Sequence, residues 1–530
     1  MLDDIKIAAK IIFANWRWQK LRRLLKGLDL KGFTNDVFLF YTIRTYDYIL
    51  TRELLLAFII AKLGGEVHVI LDNGKLIHWD TLQQGDVESL DREQLNPHYK
   101  SSFKVKVRNL LSNNKTKLFD HQNINFHYTG DILNSFSPFE ENETKLEKLK
   151  KYAISSTQRF FRSSEHNNKE GAEKYLRLST RNASLNEKVG FWIAKNINPD
   201  HFITSHGIYS VWGPAFDYLE NNTDTRCLVF GNHGHRNRHL LISNVKLQLL
   251  SQSSGWKYFS QKESHKTKVY REGKRFLRDR VKGSPKDLKG TQETVDDSIN
   301  ISENWDHIVG AFPNVSWDGN IEEIHRVFED QVHWLLETIK HFKKKPNTLL
   351  VIRFHPSETT LWSKSEGVEK IIRRHIPNID EYDNVMLISS NNHVSSYGLI
   401  EKYLDVVTLY SGMLALEAQH LKTPVITLSN GRFSGAVDSC FEPKTKEAYL
   451  SMLNNLEEVG RYYSQNYSEI IKKVYLFSYW YSKKVAYFFP LFSPSSYNKQ
   501  DITRANLSDF DIEAQQEFRR TIGKLIGGFE

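Results

Sequence analysis

Apolar residues recur along the chain at two spacings, and the switch between them predicts the architecture. DVFLFYTIR (36–44) is a continuous apolar run and predicts a buried strand. TRELLLAFIIAKLGG (51–65) predicts a helix with Thr51 as candidate N-cap and a glycine stop. EVHVILDNG (66–74) predicts the next strand, ending in a turn. Strand, helix and strand of this length make a βαβ unit, which favours a parallel sheet. Residues 75–195 are polar, charged and largely helical, and read as an insertion on that scaffold. The α/β pattern resumes with HFITSHG (201–207), a helix near 212–221 and TRCLVFGNHG (225–234).

A second alternating stretch is cleaner. HIVGAFP (307–313), NTLLVIRF (347–354), NVMLISS (384–390), DVVTLY (405–410) and PVITLS (424–429) predict strands, with helices near 321–343, 363–374 and 412–421 between most of them. Unbroken alternation means a doubly wound sheet. Between the two stretches, residues 262–300 are rich in Lys, Arg, Asp and Glu, and read as solvated helix plus linker. The tail 441–530 is helical and strongly aromatic through YLFSYWYSKKVAYFFPLF (475–492). At the start, Ile7, Ile11, Ala14, Trp18, Leu21 and Leu25 recur at helical spacing among Lys10, Arg17, Lys20, Arg22, Arg23 and Lys26. This basic amphipathic helix, 6–26, either docks on the first domain or lies on a membrane surface.

The expected organisation is therefore α/β throughout. An N-terminal helix spans 1–33. A Rossmann-like domain follows over 34–260, carrying the insertion at 75–195. A charged linker spans 261–304, a second Rossmann-like domain 305–440, and a helical tail 441–530. A length of 530 residues is too great for one core, which agrees with two domains.

Composition narrows the function classes. The net charge of +9 is moderate and not gathered into a zinc finger or an RNA-binding pattern, so no nucleic-acid partner is expected. Only Cys227 and Cys440 occur, which excludes a disulfide framework and suits a reducing compartment. No apolar run is long enough to span a bilayer, and no signal-peptide pattern opens the chain. A cytoplasmic protein is the expectation, in contact with the inner membrane surface if 6–26 takes the second of its two readings.

Two constellations carry candidate chemistry. Arg353-Phe354-His355-Pro356 sits at the carboxyl end of a predicted strand, where open α/β sheets bind ligands. Pro356 biases His355 towards extended backbone. An imidazole there, cationic or hydrogen-bonding, holds a phosphate or helps a phosphate leaving group depart; the competing reading is a histidine capping the strand end. The second constellation is YSGMLALEAQHLKTPVI (410–426). A strand ends at Tyr410, and a helix starts after Ser411-Gly412, so the Gly412, Met413 and Leu414 amides face the region above the sheet, a setting that favours anions. Glu417 can accept from a ribose diol, or simply favour the helix dipole.

Together, VIRFHP and LDVVTLYSGMLALEAQHLKTPVI resemble the C-terminal domain of bacterial capsular-polysaccharide glycosyltransferases, relatives of the sialyl- and Kdo-transferases. FPNVSWDGN (312–320) is similar to the segment opening that domain, and SHGIYSVWGP (205–214) to a motif of its N-terminal partner. The resemblance covers roughly 37–80 and 200–435. It implies a GT-B fold, with two Rossmann-like domains facing a cleft, and sugar transfer from a nucleotide-sugar donor to a surface-polysaccharide or lipid-linked acceptor. It implies that His355, Ser411, Gly412 and Met413 hold the donor phosphate, with Arg353 also in the donor site, that Glu417 holds the ribose, and that Asn314 and Asp318 line the crevice between the domains. It also implies His206 as general base, with Asp47 of RTYD (44–47) as competitor; His206 also reads as a structural strand-end residue. A CMP-sugar is the donor the resemblance favours, although Gly412 stands where the family often has a second hydroxyl residue.

No cofactor and no metal are expected. The one Asp-x-Asp triplet, Asp509-Phe510-Asp511, lies in the polar tail rather than after a strand. GNHGHRNRH (231–239) lacks zinc-ligand spacing and suits a solvated or acceptor-phosphate loop. The rival readings are a teichoic-acid-type polyol-phosphate transferase using a CDP-alcohol, a non-catalytic nucleotide-binding assembly protein, and an epimerase-like enzyme on the same fold.

Overall fold

The computed structural model describes residues 34–43, 47–73, 76, 121–136, 143–235, 238–282, 299–302, 304–360, 365–434, 437–487, 493–496, 499–501 and 512–526. The amphipathic segment 6–26, most of 75–120 and Asp509-Phe510-Asp511 lie outside the described residues. The chain divides into two compact units: residues 1–160, 167–244 and 486–530, and residues 161–166 with 245–485.

The first unit is built on β1 (Val37–Tyr41), α1 (Asp47–Lys62), β2 (Glu66–Leu71), β3 (Ile124–Tyr128), α2 (Glu143–Phe161), α3 (Ala172–Asn196), β4 (His201–Ser205), α4 (Gly213–Asn222), β5 (Arg226–His235) and β6 (Arg238–Ser243). Its seven-stranded sheet runs Ala486–Tyr487, β6, β5, β4, β1, β2, β3. The pairs β5-β4, β4-β1, β1-β2 and β2-β3 are parallel, and β6 is antiparallel to β5. Helix α1 is apolar on nearly every side because it is covered twice. Leu54–Ala61 join the core over β1 and β2, and Ile522 and Leu525 of the C-terminal helix Ile512–Ile526 join the same cluster. Arg226 fastens that helix by donating to the Lys524 carbonyl at 2.9 Å.

Two expectations change here. Helix α1 begins at Asp47, so Thr51 lies in its second turn and does not cap it. The insertion read as largely helical contributes β3, the edge strand of the sheet. INFHY carries polar residues at an edge position, and its apolar periodicity is too weak to reveal a strand.

The second unit contains the helix Ser254–Glu263 and then α5 (Thr267–Val281), followed by β7 (His307–Phe312), α6 (Gln331–Phe342), β8 (Thr348–Arg353), α7 (Val368–His375), β9 (Val385–Ile388), β10 (Val406–Leu409), α8 (Leu414–His420), β11 (Val425–Thr427) and α9 (Leu456–Tyr479). All five strands are parallel, in the order β11-β10-β7-β8-β9. Helix α5 lies within the segment read as a charged linker, yet it packs along α9. Their crossing needs Gly273, since a Cβ there would collide with the Tyr475 carbonyl. The tail is shared as well: residues 441–485 belong to this unit and 486–530 to the first.

Residues 161–166, cut from the middle of the first unit's sequence, are held in the second by polar contacts. Ser163 donates to Glu366 at 2.5 Å, Glu366 N–H donates to the Arg162 carbonyl at 3.0 Å, and Arg374 donates to Glu366 at 2.9 Å and also to Glu165.

Candidate nucleotide site

Each parallel sheet has one place where the strand order reverses, and in open α/β sheets ligands bind outside the carboxyl ends of the strands at that place. In the second unit the reversal falls between β7 and β10. Asn314, two residues beyond β7, donates its side-chain amide to the Ser411 carbonyl beyond β10. Gln331 of α6 fixes Asn314 from behind: Asn314 N–H donates to Gln331 Oε1 at 2.8 Å, and Gln331 Nε2 donates to the Asn314 carbonyl at 2.6 Å. Gly412 has φ +142°, and a Cβ on it would lie 3.4 Å from the Asn314 amide nitrogen. Ser411 packs on Gly431 so closely that a Cβ at 431 would collide with its hydroxyl. Met413 occupies the cap position of α8 and makes no side-chain cap bond. Ser411, Gly412 and Met413 are all part-exposed.

His355 lies one strand away, past β8. Ser357 N–H donates to His355 Nδ1 at 3.1 Å. Nδ1 is therefore the acceptor, and the proton of the neutral ring is on Nε2. Burial, helped by the Arg353 charge, pushes the His355 pKa down to about 4. Near neutral pH the ring is therefore neutral and hydrogen-bonded.

Arg353 is 2% exposed, and its guanidinium donates to the carbonyls of Phe354 at 2.8 Å, Ser389 at 2.6 Å and Asn392 at 2.8 Å. It braces the loop after β9 and adds positive charge beside His355, and the partners it holds are the chain's own backbone carbonyls. Glu417 is likewise buried, and Arg280 Nε of α5 donates to its carboxylate at 2.6 Å. Asp318 is exposed, beside Gly319 with φ +65°.

Sequence reasoning missed Glu358. It follows His355-Pro356 by two residues, is 4% exposed, and accepts from Val368 N–H at 3.0 Å at the start of α7. Its second oxygen has no hydrogen-bond partner among the described residues. Burial, opposed by the Val368 bond and helped by Glu369, pushes its pKa up to about 7. Its only signal is an acid inside a short segment that reads as loop. Arg280, Gln331 and Gly431 carry no local signal at all.

The first unit repeats the arrangement: its reversal falls between β1 and β4, with Tyr41 opposite Thr204 in the register. Both base candidates follow these strands. Asp47 is the first residue of α1, after β1, and His206 directly follows β4. His206 has φ +65° and Gly207 the same value, a tight left-handed turn. Ser205 Oγ lies 2.9 Å from His206 Nδ1, and the ring stacks on Trp212 at 5.7 Å. The loop beyond is anchored from two helices. Ser156 of α2 accepts from Ser210 N–H at 2.8 Å, and Asn186 of α3 donates to the Val211 carbonyl at 2.7 Å and to Tyr41 Oη at 2.6 Å. Among the described residues no three His, Cys, Asp or Glu side chains are grouped to hold a metal ion.

No protein-family model matches the chain, and no curated protein matches it. Solved structures align with it at low identity. A Thermosulfurimonas dismutans KpsC, a beta Kdo 2,4 transferase, is 11% identical over 62% of this chain and 88% of its own, with TM-score 0.37. A UDP-GlcNAc 2-epimerase from Neisseria meningitidis is 12% identical over 85% and 99%, with TM-score 0.23. An alpha,alpha-trehalose 6-phosphate synthase from Burkholderia multivorans is 8% identical over 85% and 99%, with TM-score 0.29. Likeness at this level assigns neither family nor activity to this chain. The class that the coordinates themselves define is α/β, with two parallel-dominated sheets, each reversing its strand order once.

Proposed function

We propose that the protein is a GT-B-type glycosyltransferase that moves a sugar from a nucleotide sugar, a CMP-sugar by preference, to a surface-polysaccharide or lipid-linked acceptor without a bound metal. The observation that carries the nucleotide part is the Asn314–Ser411 link at the β7/β10 reversal, with Gly412 beside it and His355 on the next strand. The sugar part rests on the resemblance of VIRFHP and the 404–426 segment to capsular glycosyltransferases.

In this reading the donor phosphate sits over Gly412 and Met413, and Ser411 and His355 Nε2–H donate to its oxygens. As the bond between the sugar's anomeric carbon and the phosphate oxygen breaks, negative charge builds on the phosphate. Donors already in place stabilise that charge without reorganising. With Nδ1 accepting from Ser357 N–H, the neutral His355 ring keeps its proton on Nε2 and supports the departing phosphate by donating that hydrogen bond to it. Glu417, oriented by Arg280, accepts from the ribose hydroxyls. Asp318 lines the approach. The acceptor hydroxyl loses its proton to His206, with Asp47 as the competing base. The protein works in the cytoplasm, in contact with the inner membrane surface through 6–26.

Product analysis tests the reading. The chain is incubated with CMP-, UDP- and GDP-sugars and CDP-glycerol in EDTA, each with a lipid-linked glycan acceptor. A glycosidic product from a nucleotide sugar is expected. A phosphodiester product from CDP-glycerol supports the polyol-phosphate rival instead, and nucleotide binding without turnover supports an assembly role.

A further inference from the structure

Helix α5 sorts its side chains by sign. Lys268, Arg271, Lys274, Arg275, Arg278 and Lys282 are all exposed. At about 100° per residue they fall within roughly 120° of arc, in a stripe about 21 Å long. The opposite side buries Val269, Gly273 and Leu277. Two acids flank the stripe, Glu272 pairing with Arg275 at 2.5 Å and Asp279 with Arg278 at 2.8 Å. Arg280 turns inward to Glu417. Like charges three and four residues apart repel one another on a helix. A face that only needed to be wetted would interleave the signs.

We propose that this stripe docks the protein on an anionic lipid bilayer. The face is straight and convex and has no aromatic within it, so it meets a plane of headgroup phosphates; a single-stranded nucleic acid would call for stacking platforms between the cations. Cations held near an anionic membrane add to one another's binding. Through the Arg280–Glu417 pair, the docking helix is the element that orients the proposed ribose acceptor. The docking itself does not depend on any sugar chemistry.

Co-sedimentation of the full chain tests the proposal, using vesicles of phosphatidylcholine alone and of phosphatidylcholine with roughly one third phosphatidylglycerol. Wild type pellets with the anionic vesicles and not with the neutral ones, and high salt releases it. Arg271→Glu, Lys274→Glu, Arg278→Glu and Lys282→Glu together lower the partition more than about tenfold. Reversing the exposed Lys148, Lys195, Lys344 and Lys444 changes the charge equally and shifts it less than about twofold. The milder variant Arg271→Gln, Lys274→Gln, Arg278→Gln keeps the test open if the reversal disturbs folding. A stripe variant that pellets like wild type overturns the proposal. So does equal binding of wild type to neutral vesicles, or binding of single-stranded RNA through the stripe with none to vesicles.

Discussion

Arg280 Nε donates to the Glu417 carboxylate at 2.6 Å, joining α5 to the helix that follows the Ser411-Gly412 turn. Both side chains are largely buried. Glu417→Ala removes this charge-assisted hydrogen bond and costs about 1.5–3 kcal/mol. Replacing both with apolar residues of similar volume recovers most of that stability. Urea unfolding of the two single variants and the double variant measures the coupling; a loss below about 1 kcal/mol for Glu417→Ala would mean the pair is not tightly buried in solution.

His355 gives stability a pH dependence on the acid side. Its folded pKa, about 4, lies below the ordinary histidine value of 6.5. The unfolded chain therefore binds the extra proton first, and the contribution, complete above about pH 6.5, is lost as pH falls towards about 4. His355→Gln removes the titration while keeping an oxygen for Ser357 N–H. Thermal unfolding from pH 7.5 to 4.5 should show wild type losing stability relative to the variant across that window. Parallel curves would contradict a depressed pKa.

Glu358 acts with the opposite sign. Its folded pKa of about 7 lies above the ordinary value of 4.5, so the folded state holds its proton more tightly. The stability it contributes is complete below about pH 4.5 and is lost as pH rises through about 7. Glu358→Gln should therefore melt higher than wild type at pH 8 and at nearly the same temperature near pH 4.5. A variant less stable at pH 8 would show that the ionised carboxylate is supported by a partner.

The central strands were legible because they are buried runs. NTLLVIRF was read over 347–354, and the strand spans Thr348–Arg353. Asn314, His355 and Ser411 were legible for a related reason: each follows such a strand, and an α/β sheet collects those ends at one edge. What stayed hidden depends on partners distant in sequence. Arg280 meets Glu417 across 137 positions, and no local pattern records it. The six cations of α5 mask its short apolar face, so a packed helix reads as a solvated one beside a linker. Glu417 and Arg353 were placed at the correct edge, but their inward hydrogen bonds are a property of packing, invisible in residue type.

His206 follows β4 in a left-handed turn, a conformation that asparagine tolerates better than most residues. His206→Asn should keep the fold and leave the second unit's nucleotide affinity unchanged, while turnover falls by about 10²-fold or more. Full turnover in His206→Asn would transfer the base role to Asp47, where Asp47→Asn gives the same readout.

The central claim is a nucleotide site at the β7/β10 reversal, completed by His355. Calorimetric titration with CMP, CDP, UDP and GDP in EDTA tests it most directly, repeated on Asn314→Ala and His355→Ala. One nucleotide should bind at one site per chain, and both variants should weaken it by about tenfold or more, the loss of one or more hydrogen bonds to a charged group. Absence of binding by all four, or wild-type affinity in both variants, would contradict the account.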